Sequence, residues 1–497
     1  VAIGSYALHN QVNSSGNIFN TAVGSQAGNS ITTGLHNTLV GGLAGEGTTD
    51  ADRNAAFGYA TLYTNVLGSR STALGYTALH TQNPATAVDM YNTAVGYSAG
   101  YSVTTGTVNT LIGGIAGDAI TSGEENVAVG YNALTTNTLG NRTVAIGTGA
   151  LRDQNYTTAT DSHNTAVGHF AGGQTTTGVK NTLVGSIAGD ALTDADFNVA
   201  VGYAALSTDT LGSKSVALGY AALNTQNFTT ATASFNTAVG HEAGTAVTTG
   251  TGNTLIGGLA GDALDVGNTN TAVGYGSLTS DTKGDRAVAI GYGALQTQNF
   301  TTTSDNYNVA VGYAAGQAVT TGNQNTLIGG LAGDALSTGA ENVAIGYLAL
   351  STEDGHGLNT AVGYATLQNQ NAGANAYNVA VGHNAGNDVT TGANNTLIGG
   401  SSGDALTTGG RNLAVGYASL SADTLGSRSV ALGYSTLYAQ NFTTSTDAFN
   451  TAVGYAAGAA VTTGIYNCLV GGNSGAAVTD ADFNVAVGTN TLSTNVL

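Results

Sequence analysis

A short apolar motif returns about every 17 residues along this sequence, in 27 complete copies from Asn20 onward. Its form is Asn-(Thr/Val)-(Ala/Leu)-(Val/Ile)-Gly. Residues at positions two and four, and a following Tyr, belong to one set. They alternate with the Ala or Leu at position three and the Gly at position five, which is the period-two pattern of a β-strand. Neither set is charged, so the motif predicts a short strand that is apolar on both faces and must be covered on both.

The residues between copies are small and polar, as in Thr104-Thr105-Gly106, and are typical of turns. Frequent Gly and β-branched residues disfavour a helix. One short strand with a turn cannot bury its own apolar faces, whereas stacked units can. We therefore predict an all-β protein, a repetitive parallel β-roll or β-solenoid with 17-residue coils.

The spacing of the copies also repeats at a longer period. Copies lie 17 residues apart three times and then usually 21, which gives a 72-residue super-repeat. One super-repeat is two residues shorter, in the loop before Asn378. The prediction is one continuous array of about 28 coils over residues 1–497, without an internal domain boundary. We interpret it as a segment of a longer fibre protein.

Two motif positions are nearly constant. Asn opens 22 of the 27 copies, and Gly closes all of them. Stacked Asn side chains can exchange amide hydrogen bonds from coil to coil. Gly is expected where the backbone has a positive φ or where another backbone approaches too closely for a Cβ atom.

Composition excludes several functional classes. Charged residues make up 8 % of the chain, and the net charge is −19, which disfavours nucleic-acid binding. Cys468 is the only cysteine, and no apolar run is long enough for a membrane-spanning helix. Phosphate-binding loops, zinc-protease motifs and nucleophile elbows are missing, so we predict that the chain is not an enzyme.

The repeats resemble those of a known family. Units such as residues 125–130 (Glu-Asn-Val-Ala-Val-Gly) and 143–147 (Thr-Val-Ala-Ile-Gly) resemble the YadA-like head repeats of trimeric autotransporter adhesins. The Asn-Thr-Ala-Val-Gly-Tyr-x-Ala-Gly form at residues 92–100 is also similar to repeats in phage and viral tail fibres. The resemblance implies a left-handed β-roll in which three chains pack side by side, on a cell or virion surface. Such a trimer would cover the second apolar strand face.

The long loop of the fourth coil is the first candidate site. Four of these loops carry Gln-Asn-(Tyr/Phe)-Thr-Thr, and an exposed aromatic ring with amides could contact a receptor or glycan. Alternatively, the ring folds back over the coil and fixes the loop. The Asn also opens an Asn-x-Thr sequon, which allows N-glycosylation. The candidate contact residues are Asn155, Tyr156, Asn227, Phe228, Asn299, Phe300, Asn441 and Phe442, with the four Asn as glycosylation candidates.

Acidic turns are the second candidate. Gly-Asp-Ala follows the Leu-type coil, and Thr-Asp-Ala-Asp occurs in three turns. Carboxylates and turn carbonyls can bind Ca²⁺, although the pattern favours solvated turn aspartates, since it contains no known Ca²⁺-binding loop motif. The Ca²⁺ candidates are Asp118, Asp190, Asp194, Asp196, Asp262 and Asp334. We expect no other cofactor.

Basic and aromatic residues complete the pattern. A cation precedes the fourth coil at Arg70, Arg142, Lys214, Arg286 and Arg428, and an Asp lies five residues before three of these, at Asp209, Asp281 and Asp423. Salt bridges across the turn are the prediction. Tyr follows the motif Gly in many coils, with His at His169, His241 and His383. We predict aromatic stacks there.

Taken together, the sequence favours a non-enzymatic extracellular fibre or shaft that mediates or presents attachment to a host receptor or glycan. It would associate with itself, as a homotrimer. The alternatives are a structural filament or surface coat that grows end to end, and a repeat surface that binds glycans or ice.

Overall fold

The computed structural model describes residues 1–12 and 16–494, and in this part of the chain it contains strands and turns but no helix. None of it, therefore, could cross a membrane as a helix. By compactness the chain divides into residues 1–251 and 252–497. Each unit contains 14 motif strands. The predicted all-β parallel solenoid of about 28 coils is confirmed.

Every motif copy forms one short strand, of three residues in all but the first. In residues 1–251 the motif strands are Ala2–Ile3, Thr21–Val23, Thr38–Val40, Ala55–Phe57, Thr72–Leu74, Thr93–Val95, Thr110–Ile112, Val127–Val129, Val144–Ile146, Thr165–Val167, Thr182–Val184, Val199–Val201, Val216–Leu218 and Thr237–Val239. In residues 252–497 they are Thr254–Ile256, Thr271–Val273, Val288–Ile290, Val309–Val311, Thr326–Ile328, Val343–Ile345, Thr360–Val362, Val379–Val381, Thr396–Ile398, Leu413–Val415, Val430–Leu432, Thr451–Val453, Cys468–Val470 and Val485–Val487.

Neighbouring motif strands pair in parallel and in register. Leu111, for example, lies between Ala94 of the preceding coil and Ala128 of the next. All three are buried, so of the two apolar faces the Ala/Leu face is the one that points into the coil.

The Leu that replaces Ala once in every four coils has a packing partner. Gly100 lies in the preceding coil and Gly117 in the same coil as Leu111. A Cβ atom on either glycine would lie 2.6 or 2.8 Å, respectively, from the Leu111 side chain. The large residue thus fills space that two glycines leave open, because the interior is close-packed.

The motif asparagines form a buried column, as predicted, but their bonds run mainly to the backbone. Asn109 Oδ1 accepts the N–H of Asn126 (3.1 Å), and Asn109 Nδ2 donates to the carbonyl of Gly123 (2.9 Å). A direct amide bond, such as Asn109 Nδ2 to Asn92 Oδ1 (3.3 Å), is longer. An Asn such as Asn109 therefore satisfies one buried donor and one buried acceptor of the main chain.

The motif glycine needs both properties that the sequence suggested. Gly329 has φ of 136°, and a Cβ atom there would lie 2.4 Å from the carbonyl oxygen of Gly346 in the next coil. Only Gly permits this backbone and this approach.

Five of the long loops are paired with the corner of the preceding coil by two-residue parallel strands. The pairs are Gly68–Ser69 with Val88–Asp89, Gly140–Asn141 with Thr160–Asp161, Gly212–Ser213 with Thr232–Ala233, Gly284–Asp285 with Ser304–Asp305, and Gly426–Ser427 with Thr446–Asp447.

Removing one asparagine of the column should loosen its coil. In Asn325→Ala, the N–H of Asn342 and the carbonyl of Gly339 lose their partners, at 3.0 and 2.9 Å, inside the coil. We expect a loss of about 3 kcal/mol of local stability, or roughly 100-fold faster amide exchange in these coils. Native-state hydrogen exchange with mass spectrometry measures it. Asn323→Ala, two residues earlier and half-exposed, is the control; equal acceleration in both variants would contradict the role of the column.

Candidate functional site

In the part of the chain that the structure describes, the second strand face is left half-exposed. It is formed by motif positions two and four and by the residue after the motif Gly; we call it the outer strand face. Ile112, Ile256 and Ile328 on this face are 38, 39 and 38 % exposed. In the neighbouring coils at residues 54–58 and 71–75, Phe57 and Leu74 at the same position are 38 and 46 % exposed. Exposed apolar side chains in neighbouring coils, among half-exposed ones, are typical of an interaction site.

Tyrosines line one edge of this face in stacked groups, as predicted. Ring centroids in neighbouring coils lie 5.0–5.7 Å apart in the groups Tyr59–Tyr76–Tyr97, Tyr203–Tyr220–His241, Tyr275–Tyr292–Tyr313, Tyr347–Tyr364–His383 and Tyr417–Tyr434–Tyr455. Two of the three predicted histidines thus join a stack. The ring of His169 instead meets Phe170 edge-on at 4.6 Å.

An open groove of about 390 Å³ lies beside the last of these stacks. Its walls include Tyr417, Tyr434 and Tyr438, which are 57, 49 and 50 % exposed, and the carboxylate of Asp404. Asp404 Oδ1 has no hydrogen-bond partner. Burial raises the pKa of Asp404, although its own backbone amide and the Ser401 hydroxyl oppose the shift. Sequence reasoning noted the Gly-Asp-Ala turns and the tyrosines after the motif Gly, but neither Tyr438 nor the fact that the fold brings these residues together.

The long loops hold their aromatic rings inside the coil. Tyr156, Phe228, Phe300 and Phe442 are only 4–8 % exposed, and Tyr156 donates its hydroxyl to the carbonyl of Gly178 at 2.8 Å. These rings fix the loops and offer no face to a receptor or glycan.

The sequon asparagines of the same loops are exposed. Their Oδ1 atoms accept the hydroxyl of a Thr in the preceding coil, at 2.7 Å for Asn155 and 3.0 Å for Asn299. Asn227 and Asn441 have the same contact, at 3.0 and 2.9 Å. Glycosylation at these four positions stays a prediction.

The predicted salt bridges across the turn are wrong. Asp209, Asp281 and Asp423 are fully buried beneath the long loops instead of facing a cation. The cations pair with aspartates of the loop that follows, as in Arg70 Nε to Asp89 Oδ1 at 3.0 Å and Arg428 Nη1 to Asp447 Oδ2 at 2.8 Å. Arg142 pairs likewise with Asp161, and Arg286 with Asp305. Lys214 has no such aspartate in its loop, and its ammonium lies 5.0 Å from the ring centroid of Phe235.

A fixed set of donors surrounds each buried carboxylate. Asp281 accepts the Nε2 of Gln298 at 2.6 Å and the backbone N–H of Gly284 and Phe300 at 3.0 and 3.2 Å. Burial is the largest influence and raises the pKa of Asp209, Asp281 and Asp423, while these hydrogen bonds oppose it. The charged form of each of these carboxylates, which hold the long loops in place, is therefore less stable than it would be in water.

The Ca²⁺ candidates form no three-ligand group among the described residues. In the described part of the chain, none of the six belongs to a group of three His, Cys, Asp or Glu ligand atoms that could share an ion. The carboxylates of Asp118, Asp194 and Asp262 accept Thr hydroxyls of a neighbouring coil. Asp196 Oδ1 accepts the N–H of Val179 at 2.8 Å, and burial raises the pKa of Asp190 and Asp334. Ca²⁺ there would depend on turn carbonyls and water.

Sequence reasoning overlooked one cluster that can hold a metal ion. Glu353, Asp354 and His356 bring two carboxylate oxygens and a ring nitrogen within 4.8 Å of one another. The signal in the sequence is the change of pattern at this corner, Glu-Asp-Gly-His-Gly, where four other super-repeats have Thr and Gly in place of Asp354 and His356.

No protein-family model matches this chain, and comparison with curated proteins finds no match.

The buried carboxylates should make stability depend on pH in an unusual direction. A folded-state pKa above the unfolded value means that stability is present below about pH 4 and falls as the pH rises through the folded value. Asp281→Asn removes this loss of stability, because an amide does not ionise. Asn fits the site, since Asn65 and Asn137 occupy the matching position in two super-repeats.

We therefore expect Asp281→Asn to slow amide exchange around residues 281–300 several-fold at pH 7, with no difference from the parent below pH 4. Exposed Asp305→Asn, which removes an acid at the surface of the same loop, is the comparison. Faster exchange in Asp281→Asn at pH 7 would mean that the hydrogen bonds outweigh the burial.

Proposed function

We propose that this chain is the shaft of a non-enzymatic extracellular fibre that associates with itself through the outer strand face and presents attachment surfaces to a host or substrate. The observation that carries the proposal is the exposed, uncharged outer strand face, which continues through successive coils of each unit. The resemblance to YadA-like adhesin heads and to tail-fibre repeats supports three chains as the assembly and a cell or virion surface as its location.

The size of the outer strand face is sufficient for a stable interface. In residues 1–251, six tyrosines on it are 48–62 % exposed: Tyr59, Tyr76, Tyr97, Tyr131, Tyr203 and Tyr220. An aromatic side chain has about 150–250 Å² to bury, so these rings alone supply on the order of 500 Å². The Ile, Val and Thr side chains between them bring the face to the roughly 800 Å² per partner of a standard interface.

The low charge of this face supports the same conclusion. The net charge of −19 means that copies of the chain repel one another in general. Motif positions two and four nevertheless carry no charged residue in any of the 27 copies. Association through this face thus leaves the carboxylates in water.

The test is the mass of the full chain in solution, together with a charged variant. We expect sedimentation equilibrium to give three chains for the parent. The double variant Ile256→Glu and Ile328→Glu should give single chains, because each copy would bury unpaired carboxylates at a cost of about 3 kcal/mol or more each. That corresponds to at least a 100-fold weaker association per site.

Thr321→Glu is the matched control, since Thr321 is exposed but lies outside the outer strand face. It should keep the mass of the parent. A single-chain mass for the parent at all concentrations would contradict the proposal, and unlimited growth would favour the structural filament. Cys468 lies on the outer strand face, so its thiol should react with a maleimide faster in the double variant than in the parent.

The groove beside Asp404 favours a second candidate function, the binding of a neutral glycan, which is an alternative to the assembly above because it needs Tyr417 and Tyr434 of the outer strand face to stay open to solvent. Sugar rings stack on aromatic faces and hydrogen-bond to carboxylates and hydroxyls, and this groove offers Tyr417, Tyr434 and Tyr438 beside Asp404 and three serines, Ser401, Ser421 and Ser435. Acid–tyrosine pairs at the same positions occur in other super-repeats, as with Asp262 and Tyr275 or Asp334 and Tyr347. In such an array, sites repeat every four coils, about 19 Å apart, and weak sites gain avidity.

Tyr434→Ala should weaken oligosaccharide binding to the full chain about tenfold, because the stack with Tyr417 at 5.4 Å is lost. An array of neutral oligosaccharides, followed by calorimetry on the best ligand, measures this. Tyr466→Ala removes an exposed stacked tyrosine outside the groove and serves as the control. Binding to no oligosaccharide, or equal loss in both variants, would remove this candidate.

A further inference from the structure

Six corners of the chain occupy the same place, immediately before the fourth coil of a super-repeat. They are residues 65–70, 137–142, 209–214, 281–286, 353–358 and 423–428. Five of them have Gly as the fourth residue and Arg or Lys as the last. The corner at 353–358 reads Glu-Asp-Gly-His-Gly-Leu, so a histidine replaces the glycine and the terminal cation is absent.

In the ordinary corners no side chain could stand at that fourth position. A Cβ atom on Gly212 would lie 2.1 Å from Asp209 Oδ2 and 2.7 Å from the ring of Phe228. At Gly212 the glycine is thus enforced by the buried acid on one side and by the loop's aromatic ring on the other. At Gly68 and Gly140 an amide, of Asn65 or Asn137, takes the place of the acid, 2.4 Å from such a Cβ atom.

Both obstacles are changed at residues 353–358. The following loop is two residues shorter and has Ala372 where four of the other five loops have an aromatic ring. Glu353 replaces the shorter Asp or Asn, which lets its carboxylate lie farther from the backbone. His356 stands at the position of the corner glycine, with its side chain 32 % exposed and that of Glu353 fully buried.

The new neighbours form an incomplete coordination set. His356 Nδ1 lies 3.4 Å from Glu353 Oε1, and the buried Nδ1 makes no hydrogen bond. Glu353 Oε2 accepts two N–H groups, from Gln370 and Ala372, both at 3.3 Å. Oε1 accepts only the His356 N–H at 3.3 Å. A carboxylate has about four acceptor sites, so one remains on Oε1, beside the unpartnered ring nitrogen.

We propose that Glu353, Asp354 and His356 bind one divalent transition-metal ion of the zinc class. In the described part of the chain they are the only such group of three, with their ligand atoms within 4.8 Å of one another. One imidazole nitrogen and carboxylate oxygens suit Zn²⁺ at about 2.0–2.2 Å from each ligand. Ca²⁺ is disfavoured, because it takes six to eight oxygen ligands and no nitrogen.

The position of the three ligands gives the ion a role in the fold. All three lie within four residues of one corner, and the ion would hold that corner closed. This is the super-repeat that lacks the short strand pair bracing the other five long loops. Asp354 is exposed, so the ion can enter from solvent and keep water as its remaining ligands.

Calorimetric titration of the full chain with ZnCl₂ tests the proposal, with CaCl₂ as the contrasting ion. Two substitutions restore the residues of the ordinary corners and should therefore preserve the fold: His356→Gly and Asp354→Thr. We expect one Zn²⁺ per chain at this site for the parent and at least tenfold weaker binding for each variant. Zn²⁺ should also slow amide exchange in residues 350–378 of the parent and not in the variants.

His241→Gly is the control, since His241 is 63 % exposed at its side chain and belongs to an ordinary super-repeat; it should leave the protection of residues 350–378 unchanged. Zn²⁺ binding of equal strength in the parent and both variants would overturn the proposal, as would the absence of any Zn²⁺ binding. In either case His356 serves only to fill the space of the missing ring.

Discussion

The requirement that each coil repeat the backbone path of its neighbour governs the rest of this structure. Parallel strands of three residues can pair only if successive coils stay in register, as Thr110–Ile112 does with Val127–Val129. Any side chain at the motif glycine would force neighbouring backbones apart, since a Cβ on Gly113 would lie 2.4 Å from the carbonyl oxygen of Gly130. Hydrogen bonds and contacts along the stack thus reinforce one another, and each coil is stabilised almost entirely by its two neighbours.

This constraint explains why the fold could be predicted from the sequence. A contact repeated in every coil imposes the same residue in every copy, so the inner Ala/Leu face, the Asn column and the motif Gly are all visible as periodic identities. The tyrosine stacks follow for the same reason, because a residue at a fixed place in the coil lies above its counterpart.

The sequence did not reveal the contacts in which a residue meets a different position of the repeat in the next coil. Asp209 lies five residues before Lys214, yet its carboxylate turns inward to Gln226 at 2.5 Å. The arginines find partners about 19 residues later, as with Arg70 and Asp89. The long-loop rings are inside for a related reason, since Phe228 fills the space over Gly212. Spacing along the chain cannot show which way a side chain turns when both directions have a partner.

The pairing of Leu111 with Gly100 and Gly117 has a consequence for how such a chain can change length. Loss of a single 17-residue coil would leave a leucine without the space that the glycines provide, or a glycine without the leucine that packs against it. Loss or gain of a complete set of four coils restores the interior contacts at the new junction. The four-coil super-repeat, of 72 residues in most copies, is therefore the unit by which the chain can lengthen or shorten without disturbing its interior. Unequal recombination between blocks would give longer or shorter molecules with the same core, and a variant feature such as the corner at residues 353–358 could be gained, moved or lost without disturbing its neighbours.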